Sequence, residues 1–293
     1  MTPTVGFILI THGKPDQIIR LLTRLNHIFD NPPIVCHHDF SKCALPLSSV
    51  PGNVSFVQPH LETGWAQFSI VEATVRALRK MYEAPNNPDW FILLSGADYP
   101  IKQSAQVLHD LKAGSYDAHI RFELIKANAF EREWQKTCFL RYCTKGIPLP
   151  SLTGRPRPRR RRLLIWHPLL TRFFLPFSKN LRCHAGSQWF SANRRAAEYI
   201  ISFHDTKPQL ATHYKKVMFS DESYFQTIIA NSQGLKLNNN NWRYTDWSPG
   251  GPHPKTLLVE DMPALVASTA HFARKFDADT DVRILDELDA FVG

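Results

Sequence analysis

Apolar residues follow two different spacings along the first 125 residues of the chain. Four short apolar runs have the length expected of buried strands, and they cover residues 5–10, 34–36, 53–57 and 90–94. Between them, apolar residues recur every three or four positions from Ile18 to Ile28 and from Phe68 to Leu78, which predicts two amphipathic helices. Strands that alternate with helices of this length predict an α/β fold with a mostly parallel central sheet, right-handed crossovers and helices on both faces.

The run from Trp90 to Leu94 contains no polar residue, which favours a central strand covered on both faces. In open α/β sheets, ligands bind outside the carboxyl ends of such strands, so Ser95, Gly96 and Asp98 are candidates to contact one. The alternative is a tight exit turn, in which Gly96 provides backbone freedom and Pro100 ends the strand. The segment by itself leaves both interpretations open.

Regular patterns are weaker in the rest of the chain. Further elements are predicted as strands over Asp117–Phe122 and Gly186–Phe190, and as a helix over 196–201. The region 130–162 is rich in aromatic and basic residues and has no assigned element. No internal repeat divides the sequence, so we expect a single domain over 1–293, with a basic and apolar loop at about 150–180.

Residues 220–226, Ser-Asp-Glu-Ser-Tyr-Phe-Gln, predict the start of a helix with Ser220 as its N-cap. Acidic residues in a first turn stabilise the helix dipole in any protein, so Asp221 and Glu222 need no further function. A carboxylate at such a position is held ionised by the helix, whereas burial raises its pKa towards neutrality. A general base uses a balance of these effects, and Glu222 is compatible with either interpretation.

The net charge of +9 comes mainly from one cluster of arginines. Six of them lie between Arg155 and Arg162, and without them 29 basic and 26 acidic residues remain. Arginines followed by Trp, Leu and Phe, as in Leu163–Leu175, are typical of peripheral contact with an anionic membrane. A solvated loop followed by a core segment is the alternative. No aromatic platform or nucleic-acid-binding fold accompanies the cluster, so we expect no nucleic-acid partner.

Several function classes are disfavoured by the motifs that the sequence lacks. The loop after the first strand, residues 11–14 (Thr-His-Gly-Lys), has no glycine-rich phosphate cradle, which argues against dehydrogenases and kinases. Neither a nucleophilic serine elbow nor a His-Glu-x-x-His zinc motif is present. His37 and His38 are adjacent on a predicted strand and point to opposite faces, which disfavours a shared metal site.

Cysteine usage and the chain start both bear on the cellular compartment. Five scattered cysteines have neither zinc-site spacing nor the density of a disulfide scaffold, and we expect free thiols in a reducing compartment. The first strand begins at Val5 without a cationic leader or cleavage site, so we expect no export. Together these observations predict a cytoplasmic protein.

Four segments of the sequence occur in the order and at the spacing that are typical of one enzyme family. They are Phe91–Pro100, Gly186–Phe190, Ser220–Thr227 and Phe272–Asp277, with further similarity at His37–Ser41 and Gly64–Ser69. Together they resemble the core-2/I-branching N-acetylglucosaminyltransferase and peptide xylosyltransferase family over nearly the whole chain. The resemblance implies a GT-A-type nucleotide-sugar-binding fold, a UDP-sugar donor, inversion at the anomeric carbon, and no cofactor or divalent metal.

The resemblance also assigns residues to the leaving diphosphate. A metal-dependent GT-A enzyme has Asp-x-Asp after the central strand, whereas this chain has the single acid Asp98 there. Fixed cations must then offset the charge that develops on UDP. By resemblance, Lys275 has this role. Arg243 is the candidate second cation, with Lys255 as its alternative.

Further site residues follow from the same resemblance. Glu222 matches the general base, which takes the proton of the acceptor hydroxyl as that oxygen attacks the sugar C1 from the face opposite UDP. Asp39 follows the second strand, where the family holds the uridine, and His12 is a neighbouring candidate for donor binding. Asp98 is expected to fix hydroxyls of the donor or acceptor sugar. The candidates to stack on a sugar ring, or else to pack in the core, are Trp65 and Trp189.

The sequence thus predicts an inverting, metal-independent transferase that moves N-acetylglucosamine or xylose from a UDP-sugar to a hydroxyl of a glycan or lipid-linked glycan. The alternatives are a glycoside hydrolase that uses Glu222 with Asp98 or Asp221, and a sugar- or nucleotide-binding protein with an inactive site. Adjacent Asp221 and Glu222 cannot flank one glycosidic bond. Unlike the animal members, the chain has no N-terminal anchor or evident disulfide set. We therefore expect a bacterial, cytoplasmic enzyme held peripherally on the inner membrane face by residues 155–177.

Overall fold

The structure is a computed structural model that describes residues 3–129, 131–148, 162–171, 173–251 and 253–293. Its strands are β1 (Val5–Thr11), β2 (Ile34–His38), β3 (Val54–Phe56), β4 (Trp90–Ser95), β5 (Asp98–Pro100), β6 (Ala118–Leu124), β7 (Lys145–Pro148), β8 (Arg162–Ile165), β9 (His184–Asn193), β10 (Leu237–Asn238), β11 (Arg243–Thr245) and β12 (Phe272–Arg274). Its helices are α1 (Pro15–Phe29), α2 (Ser69–Glu83), α3 (Ser104–Ala113), α4 (Glu133–Tyr142), α5 (Pro168–Thr171), α6 (Arg194–Thr206), α7 (Pro208–Tyr214), α8 (Tyr224–Ala230), α9 (Met262–Ala267) and α10 (Arg283–Val292).

Seven strands form the central sheet, in the order β10-β6-β9-β4-β1-β2-β3. Neighbouring strands are parallel except at β9, which runs antiparallel to both β4 and β6. The strand predicted at Trp90 is the middle one, and its residues 90–94 are all buried. The expected α/β fold class with a mostly parallel central sheet is confirmed.

Helices cover both faces of this sheet because successive strand residues point in opposite directions. Phe91 and Leu93 of β4 belong to a core that includes residues of α2, α6 and α8. Ile92 and Leu94 point the other way, into a core that includes residues of α1, α3 and α10. With both faces covered, the carboxyl ends of the strands are the part of the sheet open to a ligand.

A second, three-stranded sheet stands at the carboxyl end of β4. β5 follows β4 after the short turn at Gly96 and pairs with β12, which in turn pairs with β11. The antiparallel register of β12 and β5 places Arg274 opposite Asp98, and the parallel register of β11 and β12 places Thr245 opposite Arg274. This small sheet brings the C-terminal part of the chain to the crevice that the sequence predicts after β4.

A buried amide joins the C-terminal segment to the start of the chain. The Gln17 side-chain nitrogen donates hydrogen bonds to the carbonyl oxygens of Gly96, at 2.7 Å, and Phe276, at 3.2 Å. Its amide oxygen accepts from the backbone N–H of Ala278 at 2.8 Å. Gln17 is buried, so this bridge between α1, the β4–β5 turn and the segment after β12 is shielded from water.

β9 approaches β6 closely at Gly186, where the register of their pairing shifts. A Cβ atom at position 186 would lie 1.9 Å from the carbonyl oxygen of Arg121, so only glycine fits there. Next to it, the carbonyl of Ser187 accepts a hydrogen bond from the Gln226 side chain at 2.6 Å. The close approach thus places β9 where it can hold α8.

The region without a sequence prediction contains helix α4 and a hairpin of β7 and β8. The arginines at 155–161 lie outside the described residues, so the membrane contact and the cytoplasmic location stay predictions. Several large apolar side chains nearby are exposed, namely Leu163, Trp166, Leu170, Phe173 and Phe174. Within the described ranges, no helix combines the length and the apolar character needed to cross a bilayer.

A buried imidazole lies at the opposite end of the sheet, near the start of β6. His119 is 1% exposed, and its ring stacks on that of Trp242 with the ring centroids 4.0 Å apart. Neither ring nitrogen has a hydrogen-bond partner among the described residues. Burial, with a smaller contribution from His271, lowers the pKa of His119 to about 4. The ring is therefore neutral in the folded protein even in mild acid.

We expect the free energy of unfolding to fall as the pH is lowered from about 6.5 to about 4, by up to about 3 kcal/mol from His119 alone. The unfolded chain binds a proton on this ring near its ordinary pKa of 6.5, whereas the folded protein excludes it until about pH 4. The stability that the neutral His119 ring contributes above pH 6.5 is therefore lost as the pH falls towards 4. Urea unfolding of the wild type and His119→Phe across this pH range measures the effect. An equal pH dependence in both proteins would contradict it.

Candidate active site

A row of charged side chains crosses the carboxyl end of the central sheet. Its members come from β5, β11, β12, α4 and a 3₁₀ turn before α8. In spatial order they are Arg243, Asp98, Arg274, Asp221, Glu222 and Arg141. Each member interacts electrostatically with the next.

Asp98 and Arg243 form a buried ion pair in this row. Asp98 Oδ1 lies 3.5 Å from Arg243 Nη1, and the two side chains are 0% and 1% exposed. Asp98 Oδ2 accepts hydrogen bonds from the amide and the hydroxyl of Ser95, and Arg243 Nη2 donates to the carbonyl of Leu93 at 3.0 Å. The structure thus places Arg243, expected to bind the diphosphate, as the partner of Asp98, with its guanidinium closed off from solvent.

Arg274 reaches solvent above Asp98. Its guanidinium carbon lies 4.5 Å from the centre of the Trp189 ring, and its Nε atom is 3.9 Å from Asp98 Oδ1. The Arg274 side chain is 21% exposed, whereas Trp189 is 5% exposed. Trp189, expected to stack on a sugar, is therefore a buried support for Arg274. Sequence reasoning missed Arg274, although it lies in the last family segment and directly precedes Lys275.

Two lysines were the other candidate cations for the diphosphate. Lys275, directly after β12, is half-buried, and its ammonium forms no ion pair with any described carboxylate. Lys255 Nζ instead contacts Asp261 Oδ1 at 2.6 Å. Among the described residues, Lys275 thus keeps an ammonium without a carboxylate partner next to Arg274, whereas Asp261 offsets the charge of Lys255.

The letters Asp277-Ala-Asp279 match the Asp-x-Asp motif of metal-dependent enzymes, but they form a turn after β12. Both carboxylates form ion pairs with Lys14, which lies in the loop after β1. Their negative charge is therefore offset by a side chain of the protein itself.

Glu222 lies in the 3₁₀ turn Ser220–Glu222, where the sequence predicted the first turn of an α-helix. α8 begins after this turn, and Ser220 is fully buried with no partner for its hydroxyl among the described residues, so it caps no helix. Phe219, just before the turn, has a φ of 57°, and its N–H donates to the carbonyl of Ala66 at 2.7 Å. This contact fixes the 220–222 turn against the loop before α2.

The environment of Glu222 raises the pKa of its carboxyl group towards neutral pH. Desolvation raises the pKa of Glu222 to about 7, Asp221 adds to this effect, and Arg141 opposes it. Desolvation also raises the pKa of Asp221 to about 6, against backbone hydrogen bonds and Arg274. The Glu222 side chain is 41% exposed and Asp221 is buried, so Glu222 is the one an acceptor hydroxyl can reach. A pKa near neutrality suits a general base.

Arg141 positions the same turn from α4. Its Nη1 atom lies 3.7 Å from Glu222 Oε2, and its guanidinium lies over the Phe219 ring, 4.2 Å from the ring centre. The hydroxyl of the neighbouring Tyr142 donates to the carbonyl of Phe219 at 2.7 Å. Sequence reasoning missed Arg141, and no local pattern identifies it, because this contact joins residues far apart in the chain.

Trp65 borders the 220–222 turn and is 58% exposed. Its ring makes an edge contact with Phe219, with centroids 4.9 Å apart, and lies 5.6 Å from the ring of His253. Large aromatic faces with a few nearby polar groups are common in ligand sites. Of the two tryptophans expected to stack on a sugar, Trp65 is the accessible one.

Asp39 is fully buried after β2, and both of its oxygens are occupied. Oδ2 accepts from the amide and hydroxyl of Thr63, at 2.6 and 2.9 Å, and Oδ1 accepts from the amide and hydroxyl of Ser41, at 3.2 and 2.5 Å. Burial acts to raise the pKa of Asp39, but these hydrogen bonds outweigh it and hold the pKa well below its ordinary value. Asp39 thus anchors the segment before α2. The other candidate for donor binding near this strand end, His12 after β1, has an exposed side chain.

The cysteine and histidine side chains bear on whether the chain forms disulfides or holds a metal. All five cysteines are free. His37 Nε2 accepts from the Leu61 amide at 2.9 Å, whereas the His38 ring contacts the Thr11 hydroxyl at 2.9 Å and the Cys43 carbonyl at 2.8 Å. Across the described ranges, no three His, Cys, Asp or Glu side chains are grouped so as to hold a metal ion.

Comparison with known proteins assigns the chain to a family. The family model for the core-2/I-branching enzyme matches residues 5–265. Human xylosyltransferase 1 is 24% identical over 324 residues, covering 98% of this chain and 30% of the relative. The beta-glucuronosyltransferase GlcAT14B of Arabidopsis thaliana is 25% identical over 226 residues, covering 76% of this chain and 48% of the relative. The chain thus spans less than half the length of either relative.

Among solved structures, the galactosyltransferase LgtC in complex with donor and acceptor sugar analogs is similar with a TM-score of 0.42 and 11% identity, covering 97% of this chain and 96% of that chain. The family match includes Asp98, Glu222 and Arg243 but ends before Arg274 and Lys275. Because it runs from β1 into α9, the protein belongs to the core-2/I-branching enzyme family of glycosyltransferases.

Proposed function

We propose that the protein transfers N-acetylglucosamine or xylose from a UDP-sugar to a hydroxyl of a glycan or lipid-linked glycan, with inversion and without a divalent metal. The observation that carries this proposal is the placement of partly exposed Glu222 in one charged row with Arg274, which also reaches solvent. Such a site offers a base to the incoming alcohol and a cation to the departing diphosphate. UDP-glucuronic acid is a further donor to test, because a glucuronosyltransferase is among the similar proteins.

In the proposed mechanism, Glu222 accepts the proton of the acceptor hydroxyl while that oxygen forms a bond to the anomeric carbon. The bond between this carbon and the diphosphate breaks on the opposite face, and UDP leaves with the electron pair. Arg274 and Lys275 stabilise the negative charge that develops on the diphosphate. The Asp98–Arg243 pair fixes the β4–β5 turn and the small sheet that carry these cations.

Metal independence is supported by how the carboxylates of the site are paired. Asp98, which takes the place of the metal motif after β4, is paired with Arg243. Asp277 and Asp279 are paired with Lys14. In metal-dependent enzymes a bound ion compensates the diphosphate, and here we propose that protein cations do so.

We expect the protein to release UDP in the presence of EDTA as fast as with added Mg²⁺ or Mn²⁺. The assay uses UDP-N-acetylglucosamine, UDP-xylose and UDP-glucuronic acid with a panel of glycan acceptors, and it follows UDP and the stereochemistry of the product. Loss of turnover in EDTA with recovery in Mn²⁺ would contradict metal independence. If no donor releases UDP under either condition, the proposed transferase activity is wrong. Cleavage of the glycans alone would point to a hydrolase.

A further inference from the structure

A cavity of about 650 Å³ opens beside the 220–222 turn, between the first turns of α2 and residues 215–218. Its wall combines basic, polar and apolar side chains. Those that matter here are Arg76, Lys215, Lys216, Gln67, Phe68 and Met218. The six described residues of the charged row do not line it, so the cavity is a separate site next to them.

The cavity has an excess of positive charge. Its wall also contains Glu72, but this carboxylate lies 3.8 Å from Arg76 Nε and 3.9 Å from His204 Nε2. The ammonium groups of Lys215 and Lys216 form no ion pair with any carboxylate in the described part of the chain. Two ammonium groups that no described carboxylate compensates, beside one cavity, favour an anionic ligand.

The cavity shares a wall with the turn that carries Glu222. Ala66 and Met218 line the cavity, and the Phe219 N–H donates to the Ala66 carbonyl at 2.7 Å. The Glu222 N–H in turn donates to the Phe219 carbonyl at 3.2 Å. One 3₁₀ turn rises about 6 Å, so a group in the cavity and a hydroxyl at Glu222 are close enough to belong to one oligosaccharide.

We propose that this cavity binds an acidic sugar of the acceptor glycan, one that bears a carboxylate or a phosphate, while a nearby hydroxyl is presented to Glu222. The inference rests on the proposed transferase function and adds the class of acceptor to it. Met218, which is exposed, offers apolar contact to a sugar ring, Gln67 offers hydrogen bonds to its hydroxyls, and the lysines offer charge. An inorganic anion would leave the apolar wall unused.

Methyl NMR of the full chain, labelled at the methionine methyl groups, tests the binding directly. The probes are methyl glucuronoside, glucose 6-phosphate and, as the neutral control, methyl glucoside. We expect the Met218 signal to shift saturably with one or both acidic sugars and to stay in place with the neutral one. Met262, in α9, serves as the internal control. The two acidic probes distinguish a carboxylate from a phosphate ligand.

Variants separate charge recognition from unspecific binding. We expect Lys215→Gln/Lys216→Gln to weaken binding of the acidic sugar by about tenfold, and the control Lys80→Gln/Lys112→Gln, at exposed sites on α2 and α3, to leave it unchanged. Equal shifts with the neutral sugar, no shift with either acidic sugar, or unchanged affinity in the Lys215/Lys216 variant would each overturn the proposal. Because the NMR measurement needs no turnover, it is independent of the UDP-release assay, whose failure would count against the transferase function.

Discussion

Glu222→Gln is expected to lower turnover about 10²- to 10⁴-fold, because the amide keeps the size of the side chain but cannot take the proton of the acceptor. The fold should tolerate the change. Desolvation and Asp221 both disfavour the charge on Glu222, so a neutral side chain at this position relieves repulsion in the folded protein. We therefore expect the melting temperature of the variant to be no lower than that of the wild type, and its UDP affinity to be unchanged because the proposed role of Glu222 is at the acceptor.

Initial rates of sugar transfer and calorimetric titration with UDP measure the two effects separately. Glu287→Gln, at an exposed position on α10, is the matched control and should retain wild-type turnover. In the wild type, kcat/KM should rise with pH through about 7, because the base must lose its proton before it can act. Wild-type turnover in Glu222→Gln would rule out this side chain as the base.

Asp98→Asn is expected to lower the free energy of unfolding by about 3–5 kcal/mol, the usual effect of removing one partner of a buried ion pair. With Asp98 in place, burial lowers the pKa of Arg243 to about 10 while the Asp98 carboxylate acts to raise it, so Arg243 is charged at neutral pH and depends on Asp98 for compensation. Arg274 lies close to the same carboxylate, and its positive charge would then repel Arg243. The destabilisation therefore comes from charge left without compensation in the interior.

Urea unfolding of Asp98→Asn, Arg243→Met and the double variant measures this pair as a double-mutant cycle. The double variant should be more stable than the sum of the two single changes predicts, because it buries no unpaired charge. Strictly additive changes, or a loss below about 1 kcal/mol in Asp98→Asn, would show that the pair does not hold the small sheet in place.

The layout of the sheet is predictable because its signals are local. The apolar run at 90–94 has the length of a covered strand. In the structure this strand extends one residue further, to Ser95. The helical spacing from Ile18 to Ile28 likewise corresponds to α1. Strand and helix periods can be recognised within a few residues, so these elements do not depend on knowing their neighbours.

The chemistry of the site is less predictable because it depends on contacts between distant segments. Trp65 and Trp189 are the same residue type in family-like segments. Arg274 covers Trp189, whereas Trp65 is exposed. Asp39 follows a strand as expected, but Thr63 and Ser41 occupy its oxygens. The sequence identifies these side chains as polar or aromatic and places them near the strand ends, and only the folded chain shows which are free.

The bridge made by Gln17 bears on which C-terminal residues a shortened fragment must keep. A fragment trimmed to the family match, ending at residue 265, would keep Glu222 and Asp98 but lose β12 and both proposed diphosphate cations. It would also remove two of the three bonding partners of the Gln17 amide. A fragment that keeps this bridge and the two proposed cations therefore needs the chain at least through Ala278. In the proposed mechanism, a relative whose chain stops earlier needs another source of positive charge for the leaving group.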